Sequence, residues 1–163
     1  MFLLDNAVEV TIDRIDRKIL RILQEHGRIS NVSLAQRIGL SPTACNERVR
    51  KLEREGVITG YRACIDPTKL GSQLVVFVEI TLSRTSPDAF AEFGEAVKAT
   101  PEILECHLVA GDFDFLIKAR VTDMPAYRKL LGETILTMPG VNESRTYVVM
   151  EAVKDDPKVL IKG

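Results

Sequence analysis

From Ser41 to Arg54 the chain reads Ser-Pro-Thr-Ala-Cys-Asn-Glu-Arg-Val-Arg-Lys-Leu-Glu-Arg. Ser41 is a natural N-cap, and Pro42 suits the first helical position because no backbone donor is lost there. At 100° per residue, Cys45, Val49 and Leu52 share one side and Thr43, Glu47, Arg50 and Arg54 the other, flanked by Asn46 and Lys51. The first side is a core stripe; the second presents donors and acceptors to whatever the helix meets. Between Arg28 and Arg54 there are 6 basic and 2 acidic residues. Such a face is either a solvated surface or a surface that reads DNA. Just upstream, Val32, Leu34, Ala35 and Ile38 mark a short helix that stops at Gly39, and two helices joined by a glycine-containing turn have the helix-turn-helix geometry. That context favours DNA. In this motif the second helix enters the major groove with its N-terminal residues against the base edges. Ser41, Pro42 and Thr43 then open the reading end. Thr43 and Asn46 are candidates for base contacts, Glu47 can accept from cytosine, and Arg50 can reach guanine or a phosphate. Arg48, Lys51 and Arg54 fall to phosphate, and Arg28, before the shorter helix, adds another phosphate contact.

A second group of residues has different chemistry. Gly111-Asp112-Phe113-Asp114 is a turn between two β-like runs. A zwitterionic ligand needs donors for its carboxylate and an acceptor for its ammonium. A glycine-containing turn can aim backbone N–H groups at an anion, Asp114 or Asp123 can receive the ammonium, and Leu108, Met124, Tyr147 and Val149 can shape an apolar pocket. The same residues also suit an ordinary hairpin turn, and on the residues alone that is the preferred reading.

Catalysis has little support. Cys106 and His107 are neighbours in a predicted strand and so face opposite sides, which a nucleophile and its base cannot do. There is no nucleophile elbow, phosphate loop or dinucleotide motif. Three widely spaced cysteines (Cys45, Cys64, Cys106) and two histidines (His26, His107) offer no metal-ligand spacing. The expectation is free thiols in a reducing, cytoplasmic setting, with no catalytic group, metal or cofactor.

The elements that position these groups follow two patterns. Through Arg62 the chain carries 11 basic and 8 acidic residues; the remainder carries 11 and 15. The first part reads as three helices. Ile15, Ile19, Ile22 and Leu23 recur at helical spacing after Asp13, a plausible cap, and Gly27 ends that helix. Val57-Ile58 and Tyr61-Arg62-Ala63-Cys64-Ile65 are β-like runs around Gly60 that suit a wing. From Leu74 onward strands and helices alternate: Leu74–Leu82, a helix from Pro87 to Ala99, Ile103–Val109, Phe115–Val121, a helix from Pro125 to Thr137, and Arg145–Val153. The order is βαββαβ. The fold class is therefore α+β, an N-terminal winged helix-turn-helix followed by a C-terminal ferredoxin-like domain. The expected divisions are residues 1–60, a linker at 61–73 and a second domain at 74–163, with a short edge strand at Lys158–Ile161. A four-stranded sheet with both helices on one face needs its other face covered, and a second copy is the economical cover. The 163 residues hold no apolar run long enough to span a bilayer. The opening Met1-Phe2-Leu3-Leu4-Asp5 lacks a basic leader and meets an acid at once, unlike a signal peptide.

These blocks together carry a resemblance. Asp13-Arg-Ile-Asp-Arg-Lys-Ile-Leu, Gly27-Arg-Ile-Ser-Asn-Val, Gly39-Leu-Ser-Pro-Thr, Glu47-Arg-Val-Arg-Lys-Leu-Glu, Glu105-Cys-His-Leu-Val, Gly111-Asp-Phe-Asp, Met124-Pro-Ala-Tyr-Arg-Lys-Leu-Leu-Gly and Arg145-Thr-Tyr-Val-Val-Met-Glu resemble, in order, the Lrp/AsnC (feast/famine) family of transcription regulators. The resemblance runs from about Ile12 to Val153. It implies regulation of amino-acid metabolism genes, activating or repressing, by a double-stranded DNA-binding homodimer that assembles further, typically to an octamer, at the nucleoid. It also implies an amino-acid effector between dimers, leucine first and methionine next, at Leu108, Gly111, Asp112, Phe113, Asp114, Asp123, Met124, Tyr147 and Val149. Two rivals are an effector-independent nucleoid-organising protein and an allosteric amino-acid-binding module. The sequence departs from a close member of that family at Ala44 and Asn46, where that member carries proline and leucine, and in an N-terminal arm without lysines.

Overall fold

The computed structural model describes residues 10–162, so the opening residues and most of the N-terminal arm lie outside the described residues. The chain divides into two compact units: one runs to Cys64 and also takes in the residues from Asp156 on, and the other is Ile65–Asp155.

The first unit has helices α1 (Arg14–Glu25), α2 (Asn31–Ile38) and α3 (Pro42–Arg54). Each begins at a side chain that accepts an otherwise orphaned backbone N–H. Asp13 accepts from Asp16 in a reciprocal capping box, Ser30 from Ser33, and Ser41 from Ala44. Gly39 takes the left-handed conformation (φ 78°) that closes α2 and turns the chain into Leu40-Ser41. Ile19, Leu34, Ala35, Ile38, Cys45, Val49 and Leu52 form the core, with Ile15, Leu23, Val57 and Ile58 packed against it.

The expected wing is not formed as strands. Val57 and Ile58 fold back on α3, both N–H groups donating to the Leu52 carbonyl, and bury against the helical core. Residues 59–66 have no regular structure and pair with no strand among the described residues. A lone extended run has no ladder to join, and Val57 and Ile58 gain more from burial. The expected edge strand at Lys158–Ile161 is likewise absent. That stretch lies along α1: Gln24 donates to the Val159 carbonyl (3.1 Å) and accepts from its N–H (2.7 Å), and Arg21 donates to the Ile161 carbonyl (3.0 Å). A helix satisfies its own backbone internally, so only side chains can hold an incoming chain here.

The second unit contains β1 (Leu74–Leu82), α4 (Pro87–Lys98), β2 (Ile103–Leu108), β3 (Phe115–Val121), α5 (Met124–Glu133) and β4 (Val141–Val148). The sheet order is β2-β3-β1-β4, every pair antiparallel. Val76, Val78, Ile80 and Leu82 of β1 and Phe115, Ile117, Ala119 and Val121 of β3 point to the helix side, where Phe93, Val97, Tyr127 and Leu130 complete the core. This is the ferredoxin-like plan. β4 covers an earlier stretch than the expected Arg145–Val153: it starts opposite Leu82, and its pairing ends where the Val149 N–H reaches the Val75 carbonyl, near the start of β1. The expected helix to Thr137 gives way after Glu133 to a short 3₁₀ turn at Ile135–Thr137.

Candidate nucleic-acid interface and ligand site

On α3 the core stripe is Cys45, Val49 and Leu52, all buried. Thr43, Glu47, Arg50 and Arg54 are exposed, as the periodicity requires, and Ser41 and Pro42 form the exposed start of the helix. Lys51 approaches Glu55 one turn later, at 4.0 Å. Arg28 is exposed and lines a shallow cleft of about 330 Å³ with His26, Ile29 and Arg37. Arg37 went unremarked in the sequence; its position in the last turn of α2, downstream of Arg28, was the available signal.

Two residues of this group behave differently from expectation. Arg48, expected on phosphate, turns back to α1, where Nη1 donates to Asp13 (2.6 Å) and Asp16 (2.8 Å). The Asp16 side chain is 3% exposed, so its charge is held by this guanidinium inside the domain. The Asp16 backbone N–H and then Arg48 hold the Asp13 carboxyl below its ordinary 3.8. Asn46 is half-buried, and its Oδ1 accepts from Asn31 Nδ2 at the start of α2 (2.9 Å). Asn31 had no signal in the sequence, because its partner is fifteen residues away on another helix. Tyr61 donates to Glu53 (2.9 Å), tying the segment after α3 to that helix; burial, then Glu53, pushes its phenol up to about 12.

The ligand-site candidates fall into two groups. Leu108 and Gly111–Asp114 lie at the β2–β3 hairpin. Asp123, Met124 and Val149 lie towards the other end of the sheet, since Val121 pairs with Leu74 and the Val149 N–H reaches Val75, while Tyr147 sits level with Lys118, half-way along β3. The seven residues of β3 separate the groups, about 20 Å at the usual rise of a strand. One amino acid cannot touch both groups of a single chain. Their surroundings differ too. Asp114 closes the hairpin: Oδ2 accepts from the Leu82 N–H (2.8 Å), its N–H donates to Ile80 (2.9 Å), and its carbonyl accepts from Val109 (2.9 Å). Asp123 caps α5 by accepting from Ala126 (2.8 Å). Leu108, Met124 and Tyr147 are exposed. Tyr147 pairs with Phe77 on the sheet face away from the helices. At Gly111 an added Cβ would meet nothing within 4 Å, and its φ is not positive. A cleft of about 370 Å³ lined by Glu102, Arg120, Lys129 and Glu133 among others contains none of the nine.

Elsewhere, burial pushes the Cys106 thiol up to about 11 and raises that of Cys45, so neither is a thiolate at neutral pH. Among the described residues no His/Cys/Asp/Glu group has metal-holding geometry, and no helix is long and apolar enough to cross a membrane.

A helix-turn-helix unit whose second helix carries a polar, basic outer face, joined to a ferredoxin-like unit, defines a DNA-binding regulator with an attached sensing domain. Comparison with known proteins agrees. Residues 12–59 match the winged helix-turn-helix DNA-binding family, and residues 75–159 match the Lrp/AsnC ligand binding domain. The leucine-responsive regulatory proteins of Klebsiella pneumoniae and Escherichia coli K12 are each 62% identical over 151 residues, 93% of this chain and 92% of theirs. Among solved structures, a transcriptional regulator from Neisseria meningitidis in complex with L-Met superposes with a TM-score of 0.87 at 34% identity, covering 92% of this chain and 97% of that one. The feast or famine regulatory protein of Mycobacterium tuberculosis, complexed with L-methionine, gives 0.81 at 34% identity, covering 93% and 100%. The chain belongs to the Lrp/AsnC family. It is a transcription regulator and not an enzyme.

Proposed function

We propose that this protein controls amino-acid metabolism genes from the nucleoid of the cytoplasm, and that an amino acid bound between copies of the chain sets its state of assembly. Leucine is the first candidate, since the relatives above are named for it. Methionine is the second, since it is bound in two of the solved structures. The two side chains differ little in size, and one methylene is worth only about 1–3 kcal/mol of discrimination.

The observation that carries the reading is that the hairpin candidates and Asp123, Met124 and Val149 lie at opposite ends of β3, with Leu108 and Met124 exposed. A second copy can bring the hairpin of one chain against the Asp123–Met124 end of another. The hairpin then supplies backbone donors and the Asp114 carboxylate, and the other end supplies apolar side chains. The glycine at 111 supports this. Neither its backbone angle nor its neighbours in the chain demand glycine, so a close approach from outside accounts for it. Assembly into dimers, and of dimers into an octamer, joins several weak half-site contacts into one binding event. The ligand shifts the assembly only as far as it binds the two states unequally.

At the DNA, Thr43, Asn46, Glu47 and Arg50 read bases, while Arg28, Lys51 and Arg54 hold phosphates, with the helix start at Ser41-Pro42 leading into the groove. Arg48 drops out of this set because Asp13 and Asp16 occupy it.

Thermal unfolding of the purified protein with each amino acid in turn tests the sensor. A ligand that binds only the folded assembly stabilises by about 2.7 kcal/mol at a hundred times its Kd. The expected result is a shift with leucine or methionine that is lost in Asp114→Asn. That variant keeps a side-chain carbonyl to accept from Leu82, so the hairpin survives. No shift with any amino acid would favour the effector-independent nucleoid organiser.

A further inference from the structure

We infer that Arg37 and Arg28 form a clamp for one DNA phosphate beside the groove that α3 reads, a contact made from the flank of α2 and not by the recognition helix. The inference deepens the recognition-helix reading and rests on it.

Arg37 lies in the last turn of α2, and Arg28 stands just before the Ser30 cap at its other end. A helical side chain leans towards the N-terminus of its own helix. Arg37 therefore reaches back along α2 towards the residues that precede it. Both arginines line one cleft of about 330 Å³, whose remaining walls are His26, at the end of α1, and Ile29. No carboxylate lines that cleft. Among the described residues neither guanidinium has an ion pair or a side-chain hydrogen bond. Basic residues on α3 are placed otherwise: Arg48 is taken by Asp13 and Asp16, and Lys51 approaches Glu55.

Two like charges on one cleft repel each other, and the fold offers this pair no counter-charge. An anion seated between them turns that repulsion into attraction on both sides. Ile29 packs against the helical core and gives the cleft an apolar wall, where water screens least. A phosphate group fits the donors, because the planar guanidinium fork matches two of its oxygens. The place of the cleft selects DNA as the source of that phosphate. The start of α2 lies against the reading half of α3, where Asn31 and Asn46 are joined at 2.9 Å. In a helix-turn-helix the first helix crosses the DNA backbone while the second lies in the groove. A cationic cleft on α2 then falls beside the strand that borders the groove.

The test uses the full-length protein and a duplex taken from the bound fraction of a randomised pool, titrated at several KCl concentrations. The logarithm of the binding constant falls with log[salt] by about 0.9 for each phosphate neutralised. A dimer carries the cleft twice, so Arg37→Gln should make the slope shallower by about 1–2 and weaken low-salt binding about three- to tenfold. The loss should be alike for all sequences in the pool. Arg37→Lys keeps the charge and should recover most of the slope. Duplexes carrying a neutral methylphosphonate at one phosphate each locate the contact. One position flanking the half-site should weaken the wild type and cost Arg37→Gln and Arg28→Gln nothing further. If Arg37→Gln leaves slope and affinity unchanged while Arg50→Ala weakens binding, the clamp is overturned and the recognition helix stands. The clamp is also overturned if the two variants lose sensitivity at different phosphates, or if Arg37→Gln is weakened as the wild type is at every position. If binding is indifferent to salt and to both Arg50→Ala and Arg37→Gln, the recognition-helix reading falls and the clamp with it. Both side chains are exposed, and circular dichroism of the variants confirms that the helices are intact.

Discussion

Arg48 joins α3 to α1 through two carboxylates, and its loss should be felt as instability before it is felt as weakened DNA binding. Arg48→Met removes the partner of Asp16, whose side chain is 3% exposed. The expected cost is about 2–3 kcal/mol, most of it the penalty of leaving a buried carboxylate unpaired. Denaturant titration of the variant checks this; an unchanged midpoint would mean the clasp contributes nothing. The sign of the pH dependence follows from Asp13, whose carboxyl is held below its ordinary 3.8 by the Asp16 N–H and by Arg48. A lowered carboxylate pKa adds stability that is complete above the unfolded value and is lost as pH falls through the folded one. Helical ellipticity of the protein should therefore hold at pH 5 and begin to fall below about pH 4. The fall should be shallower in Arg48→Met, where the difference between the two states is smaller.

Among the elements, the segment after Asp155 and the β2–β3 hairpin make separate predictions. Gln24 holds Val159 by both branches of its amide, so Gln24→Ala should release that stretch from α1. Amide exchange at Val159 is the direct readout: protection in the wild type should drop to open-chain rates in the variant, with α2 and α3 unaffected. Equal protection in both would place the hold on the Arg21 contact instead. In the hairpin, Gly111→Ala meets open space and no positive φ. The variant should unfold at the same denaturant concentration within about 0.5 kcal/mol. It should nevertheless bind amino acid more weakly, because the added methyl stands where a close approach from outside is proposed. A thermal shift that survives Gly111→Ala at unchanged ligand concentration would remove that argument.

For the whole molecule, a ligand site completed by a second chain makes ligand binding depend on protein concentration. At fixed leucine or methionine, the rise in Tm should grow as the protein is concentrated, and mass measurements should register a change in assembly over the same range. A rise independent of protein concentration, in a species of monomer mass, would place the site within one chain. The sheet face away from the helices carries Val75, Phe77, Leu116 and Tyr147 beside the Glu79–Arg145 and Glu105–Lys118 pairs, a mixed surface of the kind that one chain presents to another.

Much of this was determined locally and was legible in the residues. The capping of α1 and α3 by Asp13 and Ser41 rests on contacts three residues apart. The βαββαβ order needs only the change of hydrophobic period along the chain. The exposed face of α3 follows from its core stripe. What the tertiary structure alone decided depends on groups brought together from afar. Arg48 reads as one more surface cation until α1 places Asp13 and Asp16 beside it, 35 and 32 residues away. The β-like runs after α3 form no ladder, since a strand is made by its partner and not by its own residues. The nine ligand-site candidates have the right chemistry, yet the antiparallel path of the sheet puts Asp123, Met124 and Val149 at the end away from the hairpin. Residue type sets what a side chain can do; only the path of the chain sets which side chains do it together.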